Sequence, residues 1–270
     1  FGQYYKTAAF DKHVKPKQRV VIHTDDADLL GIQNTKLVKS HSSIYKIATF
    51  LDEGLKGFNF SYKELESAEK NMKENIKDNI CLLNAIKTPQ REKSYFMSNP
   101  ITMYQGIRLY SRKKLSDRKT VNLPEIIKNN PNYTLGLSYN RSYGSAVDNL
   151  LSQIDKKQIY SSSSSEISSI KQFNKKRFDF LLESPIIFHG YWSQINTSKK
   201  IYSYKLKGMT PFIFGYFMCN KSSVGQSFIN KVNLTLNELY QTGIFYNAQK
   251  ALMFDVQKQA FDNSYKQYFK

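Results

Sequence analysis

The sequence predicts an α/β protein made of two lobes, each a mostly parallel sheet flanked by helices. Three observations carry this. Strand-like and helix-like stretches alternate along the chain, as parallel crossovers require. The apolar run Ile80–Leu83 is followed by the polar stretch Lys87–Glu92, the layout of a buried strand whose carboxyl end opens on a ligand crevice. A length of 270 residues allows one large domain or two of ordinary size, and two such α/β units fit it well.

Taken in order, residues 1–18 read as a polar, basic N-terminal extension, and Arg19–Thr24 as the first strand. In Ser42–Leu55 the residues Ile44, Ile47, Ala48, Leu51 and Leu55 recur at helical spacing, with Ser42 or Ser43 as the cap and Gly57 just past the end. Phe58, Phe60 and Tyr62 alternate as a strand does, and Glu64–Lys77 carries helix formers up to the strand at Ile80. Pro100–Arg112 contains a second extended segment, and Pro124 opens a short helix over Leu123–Asn129. Tyr133–Ser138 reads as a strand, Asn140–Gly144 as a polar turn and Ser145–Ile154 as a helix. In that arrangement backbone N–H groups and the helix dipole can hold an anion.

The serine run Ser161–Ser165 reads as a loop joining a strand to a capped helix, because Ile167, Ile170 and Phe173 follow at helical spacing and Phe178–Leu182 is a buried strand. Phe212–Asn220 is a further strand. Gln226–Leu239 is an amphipathic helix with Phe228, Ile229, Val232, Leu236 and Leu239 on one face. Shorter segments over Gly243–Phe254 and a terminal helix or tail complete the chain.

Composition narrows the function. Hydrophobic residues at 40% and charged residues at 23% describe a folded globular chain. A net charge of +18 invites a nucleic-acid or acidic-surface reading. The lysines are nevertheless spread along the chain, with short clusters only at Arg112–Lys114 and Lys175–Arg177, so no nucleic-acid partner is expected. Cys81 and Cys219 show neither metal nor redox spacing and read as small core residues, with nothing supporting a disulfide. The longest apolar runs fall short of the ~20 residues of a membrane span. Phe1 in place of a methionine fits a removed signal peptide or a trimmed chain equally. No nucleophile elbow, P-loop, dinucleotide fingerprint or His-Glu-x-x-His is present, and His23 and His189 are scattered, so no enzyme activity and no cofactor are expected.

One stretch is more specific. Thr88, Arg91, Phe96, Ser98 and Pro100 follow the strand at Ile80 in an order that resembles the type 2 periplasmic solute-binding proteins, extracellular family 3, which serve ABC importers. The resemblance implies lobe one over 1–108, lobe two over 109–216 and a return to lobe one over 217–270, with a hinge near Gly106–Leu109 and Phe214–Phe217. It implies a non-catalytic receptor for a polar, carboxylate-bearing, amino-acid-like solute that is periplasmic, monomeric, without a membrane span or metal, and read by an ABC importer permease or a membrane sensor. The ligand set it implies is Asp25, Asn84, Thr88, Arg91, Arg141, Ser142, Tyr143, Glu183 and Ser184, with Arg91 as the carboxylate clamp. Two positions depart from the family. Ser184 stands where amino-acid binders carry an aspartate for the ligand ammonium, so either Glu183 takes that role or the ligand has no α-amino group. After the first strand Asp25 is present but the usual Pro-Phe is absent. The alternative is a sensory or interaction module of the same fold with a degenerate cleft.

Overall fold

The protein is described by a computed structural model over residues 17–24, 32–33, 36–37, 43–64, 72–74, 79–139, 141–162, 166–195, 198–254 and 256–269. Asp25, Asn140, most of the N-terminal extension and the serines at 163–165 lie outside these residues, as does most of the helix expected over Glu64–Lys77.

In chain order the strands are β1 (Gln18–Thr24), β2 (Ile32–Gln33), β3 (Lys36–Leu37), β4 (Phe58–Glu64), β5 (Ile80–Ile86), β6 (Tyr95–Gln105), β7 (Arg108–Ser111), β8 (Thr120–Val121), β9 (Leu135–Ser138), β10 (Ile159–Ser162), β11 (Phe180–Glu183), β12 (Tyr202–Leu206) and β13 (Phe212–Asn220). The helices are α1 (Ser43–Gly54), α2 (Pro89–Ser94), α3 (Leu123–Lys128), α4 (Ser145–Leu151), α5 (Glu166–Asn174), α6 (Pro185–Trp192), α7 (Ser223–Leu239), α8 (Gly243–Lys250) and α9 (Lys258–Tyr268). Two sheets organise them, in the orders β4-β1-β5-β13-β6 and β10-β9-β11-β7-β12-β8, with β2 and β3 as a separate pair.

The expected parallel pairing holds for β4-β1-β5 and for β10-β9-β11. Pairings of β13 with β5 and β6, and of β7 with β11 and β12, are antiparallel. Each sheet is therefore mixed, because the strands next to the crossings run back against their neighbours.

The chain passes between the sheets twice. β6 ends at Gln105 in the first sheet and β7 begins at Arg108 in the second, while β12 ends at Leu206 and β13 re-enters the first sheet at Phe212. The two crossings lie side by side, with Gly106 N donating to Pro211 O at 2.9 Å. A Cβ on Gly106 would sit 2.6 Å from Thr210 O, so the approach depends on the missing side chain. The return crossing falls at 207–211, ahead of the expected hinge at Phe214–Phe217, because Phe214 and Gly215 already pair with Met103 and Thr102 inside the sheet.

Each sheet carries its own core. The apolar face of α7 buries Phe228, Ile229, Val232, Leu236 and Leu239 against the first sheet, and Ser222 caps the helix by accepting from Gly225 N at 2.9 Å. Full burial of one such side chain contributes about 1.5–3 kcal/mol. α8 and α9 close over the same core with Phe245, Phe261, Tyr265 and Phe269. In the second sheet Leu109, Leu135, Phe180 and Leu182 belong to one core, while Tyr110 and Leu181 pack with Phe178 and the helical Phe188 in another.

The cysteines correct the sequence reading. Both are fully buried, as expected of core residues, but they are joined in a disulfide. The register of β13 on β5 sets Cys219 directly opposite Cys81, with their Cα atoms 4.0 Å apart. A sequence separation of 138 residues conceals that adjacency, which comes from strand pairing alone.

Candidate functional site

Lobe one builds its side of the site at the carboxyl end of β5. The polar stretch expected as a turn is the helix α2. Pro89 occupies its first turn, and Thr88 is the N-cap, its hydroxyl accepting from Arg91 N at 3.2 Å. This places the Arg91 side chain back over the strand, where Nη1 donates to Ile86 O at 2.8 Å. The planar guanidinium is thereby oriented at the strand end, half-buried. Beside it Lys87 Nζ lies 3.4 Å from Glu92 and 4.6 Å from the centre of the Tyr216 ring.

Lobe two presents the turn after β9 and the start of α4. A cleft of about 530 Å³ separates the two walls, lined by Thr88, Pro89, Gln90, Arg91 and Lys93 from lobe one and by Ser142, Ser145, Asp148 and Asn149 from lobe two. The walls approach closely at Gly144, whose φ of +92° is in the range that favours glycine and where a Cβ would lie 3.6 Å from Ile86.

Three donors of the lobe-two turn, Ser142 Oγ and the backbone N–H groups of Tyr143 and Gly144, are engaged within the protein. Asp148 accepts from Tyr143 N at 2.9 Å and from Ser142 Oγ at 2.6 Å, and Ser142 Oγ accepts from Gly144 N at 3.2 Å. A carboxylate of the chain itself thus takes two of the donors that the sequence pattern offered to an external anion. Asp148 was not singled out in the sequence. Its signal was an acidic residue in the first turn of a helix whose N-cap, Gly144, has no side chain to offer.

Beneath the turn lies a buried ion pair. Arg141 Nη1 donates to Glu183 Oε2 at 2.7 Å, and Glu183 is fully buried, its Oε1 also accepting from Ser184 N at 2.7 Å. The Arg141 guanidinium stands 5.2 Å from the centre of the Tyr143 ring. Tyr143 is only 1% exposed and packs in the lobe-two core, with its hydroxyl accepting from Ser138 N at 2.9 Å. Burial pushes the Tyr143 phenol up to about 12, against smaller opposing effects of Arg141 and of the bonds with Ser138.

The sign of that shift yields a pH expectation. With a folded value near 12 and an unfolded value near 10, the stabilisation from Tyr143 is complete below pH 10 and is lost as pH rises through 12. Stability of the native protein measured by urea unfolding between pH 9 and pH 12 should fall more steeply than that of Tyr143→Phe. Identical slopes would show that this phenol titrates in the fold as it does in the unfolded chain, without the upward shift.

The overall likeness to solved structures is extensive. A chain from work on glutathione import via GshT and the cystine ABC importer TcyBC of Streptococcus mutans matches at 17% identity and a TM-score of 0.64, over 88% of this chain and 95% of that one. The fold is that of a type 2 periplasmic binding protein. An ABC uptake transporter substrate binding protein from Streptococcus pneumoniae with bound histidine matches at 18% identity and a TM-score of 0.63, over 89% and 94% of the two chains. A histidine kinase sensor domain with similarity to periplasmic binding proteins matches at 9% identity and a TM-score of 0.66, over 87% and 96%. No protein-family model and no curated protein sequence matches the chain.

Within this periplasmic-binding-protein fold the expected residues divide into groups. Thr88, Arg91 and Ser142 line the cleft. Arg141, Glu183 and Ser184 form the polar layer behind it, and neither Glu183, at 0% exposure, nor Ser184, at 4%, is among the cleft-lining residues. Tyr143 supports Arg141 from the core. Asn84 lies within β5 at φ +64°, and its Oδ1 accepts from Thr102 Oγ1 at 2.9 Å across Gly215, so its amide is used inside the sheet. Asp25 lies outside the described residues. Gln90, Lys93, Ser145 and Asn149 join the walls without any motif to mark them. Among the described residues no cluster of three or more His, Cys, Asp or Glu side chains is placed to hold a metal. No helix among them is long and apolar enough to cross a membrane.

Proposed function

We propose that this protein is a non-catalytic receptor that binds a small polar, carboxylate-bearing solute between its lobes for delivery to an ABC importer. The observation that carries the reading is the cleft at the carboxyl ends of β5 and β9, with Arg91 and Thr88 on one wall and Ser142 on the other. Its volume, about 530 Å³, falls in the range of small-molecule sites. A planar guanidinium fixed by the Ile86 carbonyl suits bidentate recognition of a carboxylate. The solute's acid group seats on the Arg91 wall, because Asp148 already uses the Ser142 hydroxyl and the Tyr143 N–H of the opposite turn. Burial of both cysteines in a disulfide fits an exported protein in an oxidising compartment.

Thermal unfolding against a panel of amino acids, organic acids and small anions tests the proposal on protein refolded to remove carried-over solute. A ligand at ~100 times its dissociation constant should add about 2.7 kcal/mol of stability. Arg91→Ala should weaken the active class by about 1.5–3 kcal/mol, the worth of a charge-assisted hydrogen bond, with little change in the unliganded melting temperature. Unchanged affinity would remove Arg91 from the site.

A sensory module of the same fold is the second reading. The observation favouring it is the occupied lobe-two turn, which offers an incoming anion fewer donors than its backbone geometry suggests. No thermal shift with any compound would support it over the receptor.

A further inference from the structure

We propose that the end of lobe two remote from the cleft is a docking surface for an anionic lipid bilayer. The two basic triplets that stand apart in the sequence are brought together there. Arg112–Lys114 leaves the end of β7, Lys175–Arg177 leads into β11, and Lys199–Lys200 leads into β12. Ser111 pairs with Phe180 on one side and with Tyr202 on the other, so all three segments emerge at one end of the same sheet.

Direct bonds tie them. Arg112 donates through Nη1 to Phe173 O at 2.7 Å and through Nη2 to Phe178 O at 2.9 Å, bracketing the second triplet. Lys199 Nζ donates to Asn174 O at 3.2 Å. Residues 112–114, 174–179 and 199–200 together hold eight cations and one acid, Asp179, which lies 3.8 Å from Arg112, and Asp117 just beyond them pairs with Lys114. Apart from Arg112, every one of these cations is exposed. The opposite end of the sheet, where β9 finishes and the cleft begins, lies a strand length away.

The chemistry of the patch selects its partner. Six of the eight cations are lysines, compact hydrated charges that suit a diffuse anionic surface. Tyrosines are interleaved with them, as in headgroup-facing surfaces. Lys113 Nζ lies 5.0 Å over the Tyr133 ring and Lys200 Nζ 5.2 Å over Tyr202. A single-stranded nucleic acid would need such rings as open stacking platforms, and here Tyr133 and Tyr202 are both half-buried. The guanidinium of Arg112 is likewise committed to backbone carbonyls rather than to bases.

The inference is independent of what the cleft binds, and vesicle co-sedimentation of the full chain tests it. The protein should sediment with vesicles of equal phosphatidylglycerol and phosphatidylcholine and not with phosphatidylcholine alone, and 0.3 M salt in place of 0.05 M should weaken binding by roughly tenfold or more. Reversal of the triplet by K175E/K176E/R177E should weaken it at least about a hundredfold, at roughly fivefold per cation lost near the surface. An equal reversal on lobe one, K250E/K258E/K266E, should leave most of the binding. K113Q/K114Q/K200Q provides a second variant of the patch should the first melt early. Absence of binding, equal loss in the lobe-one variant, or tighter binding to a short DNA duplex than to the vesicles would each overturn the proposal.

Discussion

Reduction of the Cys81–Cys219 disulfide is expected to lower the unfolding free energy by about 5 kcal/mol, the chain-entropy value for a loop of this length. The bond closes a loop of 138 residues, and the whole of the second sheet lies within that loop. In the unfolded chain the cross-link removes the freedom of the ends of this insertion to separate, so its loss stabilises the unfolded state. Because domains are stable by only about 5–15 kcal/mol in total, the reduced protein should be close to unfolding at ambient temperature. Urea unfolding with and without reductant, alongside the Cys81→Ala/Cys219→Ala double variant, measures the effect. Alanine keeps both positions apolar in a core where each cysteine is fully buried. An unchanged midpoint, or two titratable thiols in unreduced denatured protein, would contradict the bond.

Arg141→Ala should cost about 3–5 kcal/mol, because it removes the guanidinium 2.7 Å from a carboxylate with no solvent exposure. Glu183 would then keep a buried charge supported by the Ser184 N–H without that cation. The same change made together with Glu183→Leu should recover much of the loss, since a buried ion pair exchanged for apolar groups is often neutral. Comparison of both variants by chemical denaturation separates the pair's stabilising role from any part in solute recognition. A single variant as stable as the native protein would mean that Glu183 is relieved by other means.

Much of the fold was legible because its signals are local. The apolar face of α7 repeats at helical spacing from Phe228 to Leu239, and β13 is the continuous apolar run Phe212–Cys219 ended by Asn220. α2 was within reach too, since Thr88 and Pro89 form a cap and first turn, but a proline and five polar residues carry no hydrophobic period to declare a helix. What escaped depends on pairing between distant segments. The disulfide needs the register of β13 on β5, and the return crossing at 207–211 needs to be known as a loop rather than part of the strand. The candidate site divides in the same way. Thr88 and Arg91 stand in a local pattern, whereas the partnership of Arg141 with Glu183 and the occupation of the Ser142 turn by Asp148 become visible only when side chains meet.

The paired crossings give the lobes a particular mechanical relation. Two chain passes laid edge to edge and tied from Gly106 to Pro211 behave as a strap rather than a swivel. Such a strap bends readily along one line and resists twisting about the perpendicular one. Any change in the width of the cleft is then described by a single angle. On the proposed receptor reading, a partner would need to sense only that angle, and could do so from the outer surfaces without touching the solute.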